Sequence, residues 1–126
     1  MNWQTILAVG SGGFVGASLR FYVGIVVNKN FPHAIPFATL SVNLAGSLII
    51  GILMALFLIY TPSNLFRLFI ITGFLGALTT YSTFAIESFL LLNDSLWYGF
   101  LNILLNLVGT ILAAAIGYKT VLFFHQ

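Results

Sequence analysis

Residues 73–84, with the sequence GFLGALTTYSTF, decide the fold of this chain. They lie inside an apolar run over residues 65–92, and their glycines lead into five consecutive hydroxyl-bearing residues. Glycine and threonine are poor helix formers, and threonine hydroxyls compete for backbone hydrogen bonds. Irregular backbone at membrane depth is tolerated only where protein buries it or where it lines a wet cavity. The stretch is therefore either the functional centre or a kinked helix-packing face.

The composition around this stretch is that of an integral membrane protein. Hydrophobic residues make up 60% of the chain and charged residues only 5%, whereas about a quarter of the residues in soluble domains are charged. The chain has no cysteine, which excludes disulfides and thiolate chemistry. Its net charge of +2 comes without a basic cluster, so we expect no nucleic-acid partner. The first apolar run has no charged leader before it and is predicted to be a retained helix.

Apolar runs long enough to cross a membrane occur four times, at residues 3–27, 34–60, 65–92 and 96–118. Short breaks rich in Asn, Pro, Ser and Asp separate them, as expected for turns. The sequence thus predicts an all-α membrane protein with a single four-helix transmembrane domain over residues 1–126. No length remains for a soluble domain.

The orientation of the four spans is almost undetermined by charge. Arg67 and Lys119 lie on the side of the termini, and Lys29 and Arg20 lie toward the other side. Because Lys and Arg bias sets membrane topology, a chain with two cations on each side either has one topology set by other features or inserts both ways. Two oppositely oriented copies would form an inverted pair, a symmetry that many transporters build from internal repeats.

Two spans carry hydrogen-bonding side chains at positions i, i+4 and i+8, which places them on one stripe of each helix. These residues are Thr39, Asn43 and Ser47 in the second span, and Asn102, Asn106 and Thr110 in the fourth. Such side chains face partner helices or water, because they are costly against lipid. They either bond helices together or line a narrow aqueous track, and we favour the track.

The first span contains a GxxxG face, Gly12 and Gly16, which is typical of close helix packing. Arg20 follows on the same span, where its side chain either snorkels to the headgroups or faces an aqueous vestibule that attracts anions. Counting 1.5 Å per residue along four alternating helices places the Gly/Thr stretch at the bilayer midplane. Glu87 is the only carboxylate within a span, and its simplest partner is Arg20 or one of the polar groups at similar depth.

The sequence contains no catalytic constellation. His33 lies in a loop and His125 at the C-terminus, and no phosphate-binding loop is present. We therefore expect no enzyme activity and favour the passage of an ion or solute. Tyr81 and Phe84 lie three residues apart on one helical face. The positive edges of their rings, together with amide and hydroxyl donors, suit a small anion; the alternative is that the two rings are core packing.

Three motifs in order resemble those of the CrcB/Fluc family of fluoride channels, and the resemblance extends along the whole chain. They are GGxxGAxxR at residues 12–20, TLxVNxxGS at residues 39–47 and GFxGxxTTYSTF at residues 73–84. The third motif departs from the usual TTFSTF by having Tyr81 in place of the first Phe. Asn106 stands where the family commonly has Ser. The resemblance implies a passive fluoride channel that relieves fluoride toxicity as a multi-pass protein of the inner (plasma) membrane.

The resemblance also implies an assembly and a set of site residues. The family forms antiparallel, dual-topology homodimers with two fluoride pores, in which ring edges, here those of Tyr81 and Phe84, meet the ion and Asn43 orients the rings. The remaining pore residues would be Thr39, Ser47, Thr83, Asn102, Asn106, Thr110 and, in the vestibule, Arg20. The third helix is broken at the midplane, where the backbone carbonyls of Gly76 and Thr79 from both subunits would hold a structural Na⁺.

Two other classes of protein match the length and the number of spans. A small dual-topology, proton-coupled multidrug exporter would need a carboxylate in the first span, which has none, so Glu87 would have to replace it. A structural membrane subunit would transport nothing. A flux assay separates both from a fluoride channel.

Overall fold

The four apolar runs form helices that are long and apolar enough to cross a membrane. The structure, a computed structural model, describes residues 2–126. Helix α1 spans Trp3–Asn30 and α2 spans Phe37–Tyr60. The third span consists of two helices, α3 over residues 64–78 and α4 over Tyr81–Asp94, and α5 spans Leu96–Phe124. The prediction of an all-α protein with four spans is confirmed; the dimer and the dual topology stay predictions.

Three helix ends differ by three residues or more from those expected from the sequence, and one of them is the start of α2, at Phe37 and not at residue 34. Helix α1 continues three residues into the predicted break and ends at Asn30, whose side-chain Nδ2 donates to the Val26 carbonyl oxygen at 2.8 Å. The Phe31 amide then donates to the Val27 carbonyl oxygen at 2.8 Å and closes the last turn. Helix α5 runs to Phe124, beyond the predicted end at residue 118. At the end of α1, the side chain of Asn30 thus adds a hydrogen bond to the preceding helical turn.

The third span is irregular before its break and is interrupted at two threonines. Its first helix contains α-helical Asn64–Arg67, π-helical Leu68–Leu75 and a last α-helical turn, Gly76–Leu78. The backbone is extended at Thr79 (φ −82°, ψ 156°) and at Thr80 (φ −147°, ψ 118°). The predicted break is present, but it begins at Thr79 and not at Gly76, which has helical dihedral angles.

The break lets the two halves of the third span pack against different neighbours. Helix α3 packs along α1, whereas α4 packs mainly against α5, and α2 and α5 form the most extensive helix pair. A buried cluster of Val42, Leu75 and Leu78 joins α2 to the end of α3 just before the break. The polar residues at Thr79 and Thr80 are therefore held between α1, α2 and α5.

Glycines allow α1 and α3 to approach at backbone distance. A Cβ atom on Gly12 would collide with the carbonyl oxygen of Phe69, and one on Gly16 would collide with that of Phe74. From the opposite side, a Cβ on Gly73 would lie 2.5 Å from the Val9 carbonyl oxygen. The predicted GxxxG packing face is confirmed, and its partner is the π-helical part of the third span.

Candidate functional site

Asn43 is the hydrogen-bonding centre of the protein. Its Oδ1 accepts from the Thr80 amide at 2.8 Å, and its Nδ2 donates to the Thr80 carbonyl oxygen at 3.2 Å. The same Nδ2 donates to Asn106 Oδ1 at 3.0 Å. Both amide hydrogens and the side-chain oxygen of Asn43 are thus bonded. One buried side chain on α2 therefore fixes the break in the third span and joins it to α5.

The hydrogen bonds continue from Asn106 along α5 and end on α4. Asn106 Nδ2 donates to the carbonyl oxygen of Asn102 at 3.0 Å and to Asn102 Oδ1 at 3.3 Å. Asn102 is completely buried, and its Nδ2 donates to Ser88 Oγ at 2.9 Å. Thr110 Oγ1 donates to the Asn106 carbonyl oxygen. The two predicted polar stripes therefore meet each other directly through their amides.

A first cavity, which we call the inner cavity, has a volume of about 330 Å³ and is lined by one group of the predicted site residues. These are Asn43, Ser47, Tyr81, Asn106 and Thr110. Gly76 and Thr79, the predicted sodium ligands, line the same cavity. The hydroxyl groups of Ser47 and Tyr81 have no hydrogen-bond partner among residues 2–126 and are available to a bound molecule.

A second cavity, which we call the outer cavity, has a volume of about 630 Å³ and is lined by three more of the predicted site residues, Arg20, Thr39 and Thr83. The remaining two predicted pore residues, Phe84 and Asn102, line neither cavity. Arg20 Nε donates to the Ala77 carbonyl oxygen at 2.9 Å, which the break has deprived of its helical donor. Thr39 Oγ1 donates to Glu87 Oε1 at 2.8 Å, and Glu87 Oε2 is buried without a partner within residues 2–126. Of the partners expected for Glu87, the structure shows Thr39 and not Arg20.

The two aromatic rings of the third motif contact each other at the start of α4. The Tyr81 and Phe84 ring centroids are 5.5 Å apart, with an angle of 68° between the ring planes, which is an edge-to-face arrangement. Phe84 is only 6% exposed, whereas Tyr81 is 74% exposed. One ring is therefore fixed in the interior, and the other is largely exposed and lies beside the inner cavity.

The two predicted sodium ligands have carbonyl groups that lack helical donors. In an unbroken helix the Thr80 amide would bond to the Gly76 carbonyl oxygen, but it donates to Asn43. The Thr83 amide would bond to the Thr79 carbonyl oxygen, but it donates to Thr80 Oγ1 at 3.3 Å. Free carbonyl oxygens are suitable ligands for hard cations. The chemistry of this site therefore fits a cation such as Na⁺.

Three participants in this site were not predicted from the sequence: Thr80, Ser88 and the carbonyl group of Ala77. Thr80 is the residue that Asn43 holds, and Ser88 accepts from Asn102 at the end of the amide chain. Ser88 belongs to no i, i+4, i+8 polar stripe, because the residues four positions before and after it are Phe84 and Leu92. The Ala77 carbonyl group could not be found from the sequence, because every residue has a backbone carbonyl group.

Four apolar spans around a continuous chain of buried amides and hydroxyls, with two cavities beside it, define a multi-pass membrane protein with a polar interior. The family described as "CrcB-like protein, Camphor Resistance (CrcB)" matches residues 7–118. The chain therefore belongs to the CrcB family, as the three motifs predicted.

Similar proteins carry the name "Fluoride-specific ion channel FluC". The one from Sulfurimonas denitrificans is 57% identical over 120 residues, which covers 94% of this chain and 93% of the relative. The one from Nautilia profundicola is 46% identical over 121 residues, with 94% of each chain covered. A third, from Campylobacter jejuni, is 48% identical over 116 residues, with 91% and 95% covered.

Proposed function

We propose that this protein is a fluoride-specific ion channel, which conducts fluoride passively out of the cell and so relieves fluoride toxicity. The observation that carries the proposal is the near full-length similarity to proteins named as fluoride-specific ion channels, together with the polar interior that runs from Ser88 to Thr80. An inside-negative membrane drives an anion outward without a coupled energy source. The relatives are named as ion channels and not as enzymes, which agrees with the absence of enzyme activity expected from the sequence.

Fluoride is small and strongly hydrated, so a selective pathway must replace its water by donors one step at a time and still release the ion. The inner cavity offers the free hydroxyl groups of Ser47 and Tyr81, and the ring of Tyr81, which packs against the buried ring of Phe84, adds a weakly positive edge. The amides of Asn43 and Asn106 donate to the next amide and to backbone, and the amide of Asn102 donates to Ser88 Oγ. We propose that these amides keep the helices that line the pathway in place, and that each amide can replace one of its hydrogen bonds by a bond to fluoride.

The proposed working unit is an antiparallel homodimer with two pores in the inner membrane. Support comes from the even distribution of cations, two on each side, and from Tyr81, whose exposed ring needs a covering partner. The carbonyl oxygens of Gly76 and Thr79 would hold a structural Na⁺ shared by two copies, because one chain supplies only two such ligands. Bound there, the cation would stabilise backbone oxygens that the break leaves without donors.

The decisive experiment is a comparison of fluoride and chloride efflux from liposomes that contain the purified protein. A potassium gradient with valinomycin sets the voltage, and ion-selective electrodes follow each anion. We expect electrogenic fluoride efflux far above chloride efflux. Equal rates for the two anions would refute selectivity, and no flux of either would leave only a structural role.

The sodium site is tested separately, by replacing Na⁺ with N-methylglucamine throughout purification and assay. We expect the dimer to dissociate more readily on size exclusion and fluoride flux to fall, with recovery when Na⁺ is restored. Flux and elution that do not depend on Na⁺ would remove the cation from the proposal without affecting fluoride conduction.

The proton-coupled exporter is the alternative that the same preparation can test. Span α1 has no Asp or Glu, and Glu87, the one carboxylate within the spans predicted from the sequence, accepts a hydrogen bond from Thr39. Uptake of an aromatic cation driven by a pH gradient would support the exporter; we expect none.

A further inference from the structure

The inner and outer cavities share one lining residue, Thr80. Asn43 and Tyr81 line only the inner cavity, and Thr39 and Thr83 line only the outer one. Thr80 therefore borders both cavities, and a direct path across their common wall runs along this residue. Thr80 is not among the residues that the sequence assigned to the pathway.

The backbone of Thr80 is fixed, so a change at this position must come from its side chain. Asn43 holds both the amide and the carbonyl group of Thr80, at 2.8 and 3.2 Å. This pairing resembles one rung of a β-ladder and restrains both peptide groups that flank Thr80. The χ1 torsion of Thr80 is the remaining degree of freedom between the cavities.

The hydroxyl group of Thr80 makes its hydrogen bonds within the protein, and it can exchange the bond that it donates for one to an ion. Oγ1 donates to Thr83 Oγ1 at 2.9 Å and accepts from the Thr83 amide at a longer 3.3 Å. Because Thr83 lies on the outer cavity, the donated hydrogen already points toward that side. An anion is a stronger acceptor than a neutral hydroxyl, so an arriving fluoride competes successfully for this hydrogen.

We propose that Thr80 is the residue that separates the two cavities and that its hydroxyl group transfers fluoride from one to the other. In the resting arrangement the side chain closes the path and donates to Thr83. When fluoride reaches either cavity, the Thr80 hydroxyl group turns its hydrogen toward the ion. The hydroxyl group then stays bonded to the ion as the ion moves past the Thr80 side chain into the other cavity. This inference rests on the proposed fluoride channel and adds to it a selectivity residue.

The test compares Thr80→Val, which keeps the shape and removes the hydroxyl, with Thr80→Ser, which keeps the hydroxyl and removes the methyl group. Loss of a hydrogen bond to a charged group predicts that Thr80→Val lowers fluoride efflux by at least about tenfold. We expect Thr80→Ser to conduct at least as fast as the unmodified chain, with a lower fluoride-to-chloride ratio because the constriction is wider. The ratio is a readout that a merely structural role would not move.

Thr80 also caps helix α4, so the loss of a cap needs its own control. Ser95→Ala removes the equivalent cap of α5, where Ser95 Oγ accepts from the Tyr98 amide at 3.3 Å, away from both cavities. We expect this variant to keep its fluoride efflux and selectivity. Equal losses in Ser95→Ala and Thr80→Val would reduce Thr80 to a helix cap and overturn the inference.

A second measurement tests whether position 80 lies on the path of the ion, and it does not use the Thr80→Val variant. The chain has no cysteine, so Thr80→Cys is a unique thiol for 2-sulfonatoethyl methanethiosulfonate, with the extent of reaction followed by mass. We expect modification that fluoride slows and that stops efflux. A thiol that does not react, or efflux that survives complete reaction, would contradict the inference. If the unmodified chain fails to discriminate fluoride from chloride, it is the proposed function that fails.

Discussion

At the scale of single residues, Asn43 explains why the break in the third span is stable in a membrane. A break frees backbone donors and acceptors, and each one left unsatisfied in lipid is costly. One side chain satisfies both polar groups of Thr80 and still reaches Asn106. The sequence predicted that Asn43 is important, but not that its partner is a peptide unit.

Asn43→Asp keeps the acceptor for the Thr80 amide and removes both donated hydrogen bonds. It also places a negative charge beside the inner cavity, where it repels an anion. We expect fluoride efflux to fall by at least about tenfold, the factor that loss of one charge-assisted hydrogen bond gives. The matched control is Asn93→Asp, an exposed residue near the end of α4, which should conduct like the unmodified chain.

Phe84→Ile tests the buried ring in the same assay. Phe84 is almost fully buried and meets the edge-to-face ring of Tyr81. Isoleucine fills much of the space but has no polarised ring edge, so we expect a strong loss of fluoride efflux with a melting temperature close to that of the unmodified chain. Efflux that is unaffected would show that the ring is only core packing.

At the scale of helices, the sequence predicts four spans and a break near Thr79, because apolar length and poor helix formers are local properties. It does not predict the π-helical turns at Leu68–Leu75 or the bond from Arg20 to Ala77. Both depend on how α1 lies along α3, and a backbone carbonyl leaves no trace in a sequence. Arg20 was expected either to snorkel to the headgroups or to face an aqueous vestibule; it lines the outer cavity, and its Nε donates to the last turn of α3.

The contact between α1 and α3 gives a prediction about stability. A methyl group at Gly16 would meet the Phe74 carbonyl oxygen, whereas one at Gly10 would meet nothing within 4 Å. We expect Gly16→Ala to destabilise the protein by about 1–3 kcal/mol, as overpacking does, and Gly10→Ala to have no such effect. Melting temperatures in detergent provide the comparison, and equal values for the two variants would refute the close contact.

At the scale of the whole molecule, the balance of cations allows both orientations, which the proposed antiparallel dimer requires. Two lysines added at the terminus side, by His125→Lys and Gln126→Lys, should bias the chain toward one topology. An antiparallel dimer needs both orientations, so we expect efflux per protein to fall in this variant. Co-expression with a copy biased the other way, by Asn28→Lys and Asn30→Lys, should restore it. The control variant, His125→Gln with Gln126→Asn, adds no charge and should keep its efflux. Full efflux from the biased variant alone would argue against the antiparallel assembly.

The bonds that complete the broken span also impose an order on its biogenesis. The Ala77 carbonyl depends on Arg20 of the first span, and the Thr80 peptide unit depends on Asn43 of the second. Both partners leave the ribosome before residues 77 and 80 do, so the protein can supply them as the third span reaches the translocon. The third span thus depends on the two helices before it for its hydrogen bonds. The order of the helices in the chain is the order in which membrane insertion requires them.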